Sequence, residues 1–195
     1  MAKLIPSNLM ITDVSITNYH RSYGTESMSG LRLAKDAGIQ WYKGNITLKA
    51  HGYSNVRLLN GFLSSLKGRL HEFELPLNGA YANPDIGNNP TFRVVNSVGS
   101  NSIDIAHTGS PIVMGSVFNV PNEPKLYILN EEVNGNSQGV YEINPALKKA
   151  HTTPEVINFI NPVITAVLDG NETTITHEGN GLIASATLSW RENIA

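Results

Sequence analysis

The residues that most often carry chemistry in proteins are scattered along this chain. Cysteine is absent, which excludes a thiol nucleophile, a cysteine zinc site and a disulfide framework. No histidine lies at a spacing from another that is typical of a shared metal ion. Each is therefore expected to be a surface or half-buried strand residue. The six histidines are His20, His51, His71, His107, His151 and His177.

Other catalytic signatures are also missing. The sequence has no nucleophile elbow, phosphate-binding loop, dinucleotide loop or zinc-binding helix motif. Residues 83–89 contain oxygen-bearing side chains and a glycine, but they lack the first aspartates and the distal glutamate of a calcium loop, so a turn is expected there. The 5 Asp and 11 Glu form many possible pairs, and spacing distinguishes none of them. The sequence predicts no enzyme, no cofactor and no metal site.

A basic cluster around one predicted helix is the remaining candidate. Arg57, Lys67 and Arg69 lie in a third of the chain that also holds several aromatic residues, a combination that can bind phosphates and stack on bases. No more than two basic residues are adjacent, and the pI is about 6.3. We therefore expect no direct nucleic-acid recognition and interpret the three basic residues as a contact with a neighbouring copy. The aromatic residues are Tyr19, Tyr23, Trp41, Tyr42 and Tyr53.

The charge is divided unevenly along the 195 residues. Residues 1–70 carry 9 Lys+Arg and 3 Asp+Glu, a balance of +6, while residues 71–195 carry 5 and 13, a balance of −8. Charged residues make up only 15% of the chain and Asn numbers 22, which disfavours a helical bundle, a coiled coil or a charged disordered tail. Opposite charge on the two parts is suited to head-to-tail contact between copies.

Most of the chain has the apolar alternation of β-strands. The first strand, over residues 9–16, is expected to be interrupted near Asp13. Residues 46–50 form another, after a turn predicted at Lys43, Gly44 and Asn45. In the last strand Leu182, Ala184, Ala186, Leu188 and Trp190 are predicted to share one face. The other strands are predicted at 91–96, 102–106, 116–120, 124–130, 139–143, 163–168 and 172–177.

One segment, about 55–67, has helical periodicity instead. Ser54 or Asn55 is predicted to cap its N-terminus and Gly68 its C-terminus. Gly61 in its interior costs about 1 kcal/mol relative to alanine, so the helix depends on tertiary packing. The apolar residues predicted to pack it on the sheet are Leu59, Phe62, Leu63 and Leu66.

Two proline-rich passages indicate an insertion. We expect a discontinuous domain from residues 1–75 and 155–195, a β-barrel or sandwich with the helix packed on it, and a small inserted β-barrel from residues 76–154. No apolar run reaches the roughly 20 residues of a membrane-spanning helix, and the first residues lack the apolar core of a secretory signal. We therefore expect synthesis in a cytoplasm without membrane insertion.

Four segments in order resemble a known family. Residues 60–77 resemble its helix-to-strand element, and residues 115–120 its strand that opens a small barrel. Residues 125–133 and 139–148 are similar to its following strand, turn and strand. Gly115-Ser116 stands where the family has Gly-Asp, and Asn144-Pro145 where it has an aromatic-proline pair. The family is that of the distal tail proteins of long, non-contractile-tailed bacteriophages, and the resemblance extends over about 60–190.

The resemblance implies a tail-tube-like β-barrel domain with one helix and an inserted OB-like barrel. It also implies a ring, typically hexameric, that joins the tail tube to the tip or baseplate hub. The partners would be other copies, the tail tube protein and tail-hub proteins, and the location would be the virion tail tip. Arg57, Lys67 and Arg69 would meet acidic groups of a neighbour.

A carbohydrate-binding β-module is the alternative interpretation. Such a module would contact cell-surface glycans, with aromatic rings as stacking platforms and asparagine-rich turns as hydrogen-bonding groups. Burial in the core is the simpler explanation for these rings, because Trp190 lies on the apolar face of its strand. The candidate platforms are Trp41, Tyr42, Tyr127 and Trp190.

Overall fold

The structure is a computed structural model that describes residues 2–77, 79, 81–121 and 123–193, with the exception of the Asp36 side chain. The expectation of a mainly β protein with one α-helix is confirmed over these residues. The helix α1 is Tyr53–Leu66, and short 3-10 turns occupy Gly68–Leu70, Pro84–Ile86 and Gly179–Gly181. In chain order the strands are β1 (Lys3–Leu4), β2 (Met10–Val14), β3 (Thr17–Glu26), β4 (Arg32–His51), β5 (Phe73–Pro76), β6 (Thr91–Phe92), β7 (Ser102–Ala106), β8 (Val117–Asn119), β9 (Leu126–Leu129), β10 (Gln138–Asn144), β11 (Val163–Leu168), β12 (Thr176–Glu178) and β13 (Ile183–Glu192).

The strands form two sheets. The larger is curled like half a barrel and has the order β1-β5-β11-β13-β4-β2, with β3 paired to β4 and β12 paired to β13. The smaller has the order β6-β7-β10-β9-β8. Its core contains apolar residues from Ile86 to Phe159, whereas the core of the larger sheet draws on both earlier and later residues.

The longest regular pairing joins β13 to β4. It runs from Ile183 opposite His51 to Arg191 opposite Lys43. Because side chains alternate along a strand, the even-numbered residues of β13 point into the core, and Ala184, Ala186, Leu188 and Trp190 are buried. Leu182, expected on the same face, lies before the strand and is 46% exposed.

Helix α1 covers the core face of the larger sheet. Leu59, Phe62, Leu63 and Leu66 are all buried in the core, together with Val56. Among the described residues no helix has the length and apolar character needed to cross a membrane.

The caps of this helix differ from the expectation. Gly52 is the N-cap and no side chain caps it, because Asn55 donates to the His51 carbonyl oxygen instead of capping the first turn. At the other end Lys67 adopts the left-handed conformation, with φ 51°, and Gly68 already begins the next 3-10 turn.

The turn predicted at Lys43, Gly44 and Asn45 is wrong, because β4 runs through these residues without interruption. Gly44 is required there by a close approach. A Cβ at this position would lie 1.8 Å from the Ser15 carbonyl oxygen and 3.2 Å from the Trp190 ring. A glycine inside a strand commonly marks such a contact between backbone and neighbouring groups. The irregularity expected near Asp13 is confirmed as a register shift between Ile11 and Asp13.

The first half of β4 leaves the sheet and pairs with β3 alone. We call this two-stranded element, Thr17–Glu26 with residues 32–42, the ribbon. Its tip is a tight turn in which Gly30 N donates to the Ser27 carbonyl oxygen and Leu31 N donates to Ser27 Oγ. Gly30 has φ 78°, a conformation that few other residues adopt easily.

Two glycines provide a direct test of this packing. Gly44→Ala should lower the free energy of unfolding by about 3 kcal/mol, because its Cβ forces the Ser15 backbone away from β4. Gly61→Ala, in the open interior of α1 where an added Cβ meets nothing within 4 Å, should raise it by about 0.5–1 kcal/mol. Urea denaturation followed by tryptophan fluorescence measures both changes. Equal effects of the two substitutions would contradict the close approach at Gly44.

Candidate functional site

The ribbon is the most exposed part of the fold. Every described residue of β3 is exposed, and no other described strand pairs with β3 or with residues 32–42 of β4. Over most of its length the ribbon therefore presents backbone hydrogen-bonding groups at its edges, a state that natural proteins usually cover or pair. At the base of the β4 edge, the Gln40 carbonyl oxygen accepts from Lys125 Nζ and Tyr42 N donates to Glu192 Oε2. At about 3.3 Å per residue, the ten residues of β3 make an open edge roughly 33 Å long.

Large apolar side chains accompany these open edges. Met28 at the tip is fully exposed, at 110% of its reference area. A contiguous exposed apolar surface commonly marks an interaction site. The other exposed apolar residues of the ribbon and its tip are Tyr19, Tyr23, Leu31, Leu33 and Ile39.

The base of the ribbon is held by a buried ion pair. Lys125, from the segment before β9, places Nζ 2.5 Å from Glu192 Oε2 at the end of β13. The same Nζ donates to Gln40 Oε1 at 2.6 Å and lies 5.1 Å from the centroid of the Tyr42 ring. The Lys125 and Glu192 side chains are 1% and 0% exposed. We call this cluster the junction. It joins the ribbon base to the smaller unit, by which we mean the five-stranded sheet and the core around it; the larger sheet with α1 is the larger unit.

Backbone groups complete the junction. Glu192 Oε1 accepts from Leu126 N at 2.8 Å, and Glu192 Oε2 accepts from Tyr42 N at 3.1 Å. Burial lowers the pKa of the Lys125 ammonium and raises the pKa of the Glu192 carboxyl, and in each case the attraction of the partner opposes burial. Burial also raises the pKa of the Tyr42 hydroxyl, which stays neutral. The ion pair is therefore satisfied only while both units stay docked.

The basic residues predicted as an interface do not form one cluster. Arg57, Lys67 and Arg69 are all exposed. Arg57 and Lys67 are separated by ten residues, about 15 Å along a helix axis. Arg69 donates to the Asp169 carbonyl oxygen and so is engaged within its own chain.

Three of the four aromatic candidates for a sugar platform are inaccessible. Tyr42, Tyr127 and Trp190 are buried at 2%, 0% and 0% exposure. Trp41 alone is partly open, and its ring stacks on Tyr19 with centroids 4.2 Å apart.

The histidines do not converge on a site. His20, His51 and His177 are exposed, and His71 is half-buried. His107 Nε2 lies 2.7 Å from the Ser110 carbonyl oxygen. Among the described residues no group of three His, Cys, Asp or Glu side chains could hold a metal ion.

His151 is instead part of a closed polar network in the smaller unit. Its Nε2 lies 2.8 Å from Glu123 Oε2 and its Nδ1 lies 3.1 Å from Glu155 Oε2. The other oxygen of Glu123 accepts from the Tyr127 hydroxyl at 2.7 Å. The ring also stacks on Phe92, with centroids 5.1 Å apart. These bonds occupy both ring nitrogens, so the network has a structural role.

The segment that loosely resembles a calcium loop is also occupied by internal bonds. Asn89 Oδ1 accepts from Phe159 N at 3.0 Å and from Ile160 N at 3.2 Å. Pro84–Ile86 forms a 3-10 turn. Asparagine oxygens here anchor the chain that returns from the smaller unit.

A cleft of about 550 Å³ lies between the two units. Glu72, Glu74 and Glu123 line it together with three asparagines. Glu72 already accepts from Asn193, and Glu123 is engaged by His151 and Tyr127. The cleft therefore has few free polar groups with which to hold a ligand.

The junction predicts a large effect of a single substitution. Lys125→Met should lower the free energy of unfolding by about 3–5 kcal/mol, because it leaves Glu192 buried without its counter-charge. Lys148→Met is the matched control: the side chain is exposed, and little change is expected. The double variant K125M/E192Q should recover part of the loss, because it removes the unpaired charge. Urea denaturation measures all three, and equal midpoints for K125M and K148M would contradict the junction.

Comparison with known proteins adds no assignment. No protein-family model matches the chain, and no curated protein matches it either. The function is therefore inferred from the geometry of the ribbon and the junction, and from the four segments that resemble distal tail proteins.

Proposed function

We propose that the protein is a structural ring subunit of a bacteriophage tail tip. Copies assemble head to tail through the ribbon, and the ring joins the tail tube to the tip or baseplate hub. Its partners are further copies, typically six in a ring by the family resemblance, together with the tail tube protein and tail-hub proteins. Its place is the tail tip of the virion, and its role is structural rather than enzymatic.

The single observation that carries the proposal is the pair of open ribbon edges. A two-stranded ribbon alone is marginally stable in water, yet this one extends about ten residues beyond the sheet. An added strand from a neighbour satisfies the open backbone groups and covers the exposed apolar side chains, as in β-strand addition generally. Because the ribbon of one copy meets a different surface on the next, the contact is heterologous and can close into a ring.

The two-unit architecture also supports the proposal. The larger sheet is curled and has one helix on its core face, and these two features support the tail-tube-like domain that the resemblance implies. The smaller five-stranded sheet contacts the ribbon base through Lys125, and its position in the chain supports an insertion of the kind that the resemblance implies. A unit fixed at the ribbon base leaves the ribbon free to reach a neighbour.

Shortening the ribbon tests the proposal. His20 pairs directly with Gln40, so replacing residues 21–39 with Asn-Gly should close the pair in a two-residue hairpin turn. We expect the wild type to assemble into a closed ring and the shortened variant to stay a single copy. Light scattering after size exclusion and class-averaged electron micrographs measure the two states.

A matched pair of point variants distinguishes assembly through the ribbon from non-specific association of exposed apolar residues. Leu33 in the ribbon is 63% exposed and Val140 in the smaller sheet is 61% exposed. Leu33→Ser should weaken assembly by about 2 kcal/mol per contact, the value of one buried leucine, or roughly thirtyfold in the association constant. Val140→Ser should leave assembly unchanged. A wild type that stays a single copy at all concentrations, even when co-expressed with its tail neighbours, would refute the ring, as would assembly by the shortened variant.

A further inference from the structure

We infer that the bare face of the larger sheet binds the phosphate backbone of a nucleic acid. The bare face is the side opposite helix α1, formed by the odd-numbered residues of β4 and β13 and by the ribbon residues that share their side. The inference does not require the ring, because each copy carries the whole surface.

Two cations stand directly opposite each other on this face. Lys43 in β4 pairs in register with Arg191 in β13, and both are exposed. Like charges at directly opposed positions of a sheet destabilise it. Within the described part of the chain, no carboxylate lies close enough to either residue to form an ion pair. The repulsion between Lys43 and Arg191 therefore remains in the folded chain, and a bound anion would reduce it.

Further cations extend this pair into a row. Lys49 lies six residues along β4 on the same side, and Lys35 lies eight residues in the other direction, opposite Tyr23. Arg21, opposite Ile39, stands between Lys35 and Lys43. The register shifts between Arg21 and Ser22, so two residues of β4 lie outside the ladder, and at about 3.3 Å per step the row is roughly 40 Å long. A linear polyanion matches a row of this length better than a small ligand does.

Aromatic rings hold two of the cations in place. Lys43 Nζ lies 5.7 Å from the centroid of the Tyr19 ring, and Arg21 Cζ lies 5.5 Å from that of Tyr23. Tyr19 in turn stacks on Trp41. A cation over a ring face is attracted without being neutralised, so both charges stay available to a ligand.

The rest of the face is neutral and polar near the centre of the row. Thr47 Oγ1 lies 3.2 Å from Thr187 Oγ1, and Ser189 Oγ donates to Asn45 Oδ1 at 2.8 Å. The carboxylates placed on this side by register are Asp13, Glu74 and Glu178. Glu72, bonded to Asn193, lies beside Glu74 at the cleft end of this side. The five cations outnumber these four acids, and hydroxyl groups can donate to phosphate oxygens between the cations.

A nucleic acid fits this face better than a second copy does. A second copy offers exposed carboxylates at Glu131, Glu132 and Glu142, but these lie together at one place, because Asn130 donates hydrogen bonds to Glu142. They could meet only a small part of the row. A phosphate backbone instead supplies a continuous line of unpaired negative charge. The charge balance of the sequence does not predict this surface, because Arg191 comes from the acidic part of the chain and pairs with Lys43 only in the folded sheet.

Salt-dependent binding of labelled DNA tests the inference. The probe is a fluorescently labelled 20-base-pair duplex in an anisotropy titration, at several salt concentrations. The double variant K43Q/R191Q should raise the Kd about tenfold at low salt and reduce the slope of log K against log salt by about 1.8, or 0.9 for each lost phosphate contact. The control R57Q/K67Q removes the same charge from the helix and should change the Kd less than twofold. Duplexes of different sequence should bind equally, because the contacts are to phosphate.

Circular dichroism and light scattering of the same samples keep the two proposals separate. If K43Q/R191Q folds and assembles like the wild type but loses DNA affinity, the inference is supported. If wild-type protein stays a single copy yet shows the predicted difference between the variants, the inference stands and the ring is refuted. Equal losses in both double variants, or no salt-dependent binding by the wild type, would overturn the inference whatever the assembly state.

Discussion

The structure depends on one strand that is longer than its partners. Over residues 43–51, β4 pairs with β13 and is part of a buried sheet. Over residues 32–42 it has only β3 beside it. The same continuous strand is therefore part of the core sheet at one end and of the solvent-exposed ribbon at the other. Its position in the sheet fixes the direction of the ribbon. Gly44 makes this continuity possible, because any side chain there would collide with the Ser15 carbonyl oxygen.

The junction explains how such a ribbon is held. Gln40 and Tyr42 lie where β4 leaves the sheet, and both contact Lys125 of the smaller unit. A buried charge is costly unless it is paired. Separation of the two units would leave both Lys125 and Glu192 without their partner. The smaller unit thus restricts movement of the ribbon at its base, through the contacts of Lys125 with Gln40 and Tyr42. Movement of one unit against the other is opposed by electrostatics in addition to apolar packing.

Local patterns were enough to predict some elements and not others. The periodicity of Leu59, Phe62, Leu63 and Leu66 and the alternation in β13 are local, so the helix and the last strand were predicted from sequence. The sequence does not predict the ribbon, because all of β3 and residues 32–35 of β4 are exposed, which removes the apolar alternation. Gly44 was interpreted as a turn residue because the groups that require glycine, Ser15 and Trp190, lie elsewhere in the sequence. The opposition of Lys43 and Arg191 is likewise a product of register alone.

The edges and the faces of the larger sheet can therefore serve different partners. Edge pairing at the ribbon would use its backbone groups and its apolar side chains, whereas Lys43, Lys49 and Arg191 lie on the part of the sheet beyond the ribbon. Helix α1 covers one face, and the bare face carries the cations. The row of cations does not follow from the charge division along the chain, because Arg191 belongs to the acidic part and register alone brings it to Lys43. In the proposed ring, contact between copies would use the ribbon, and the row would remain for a second partner.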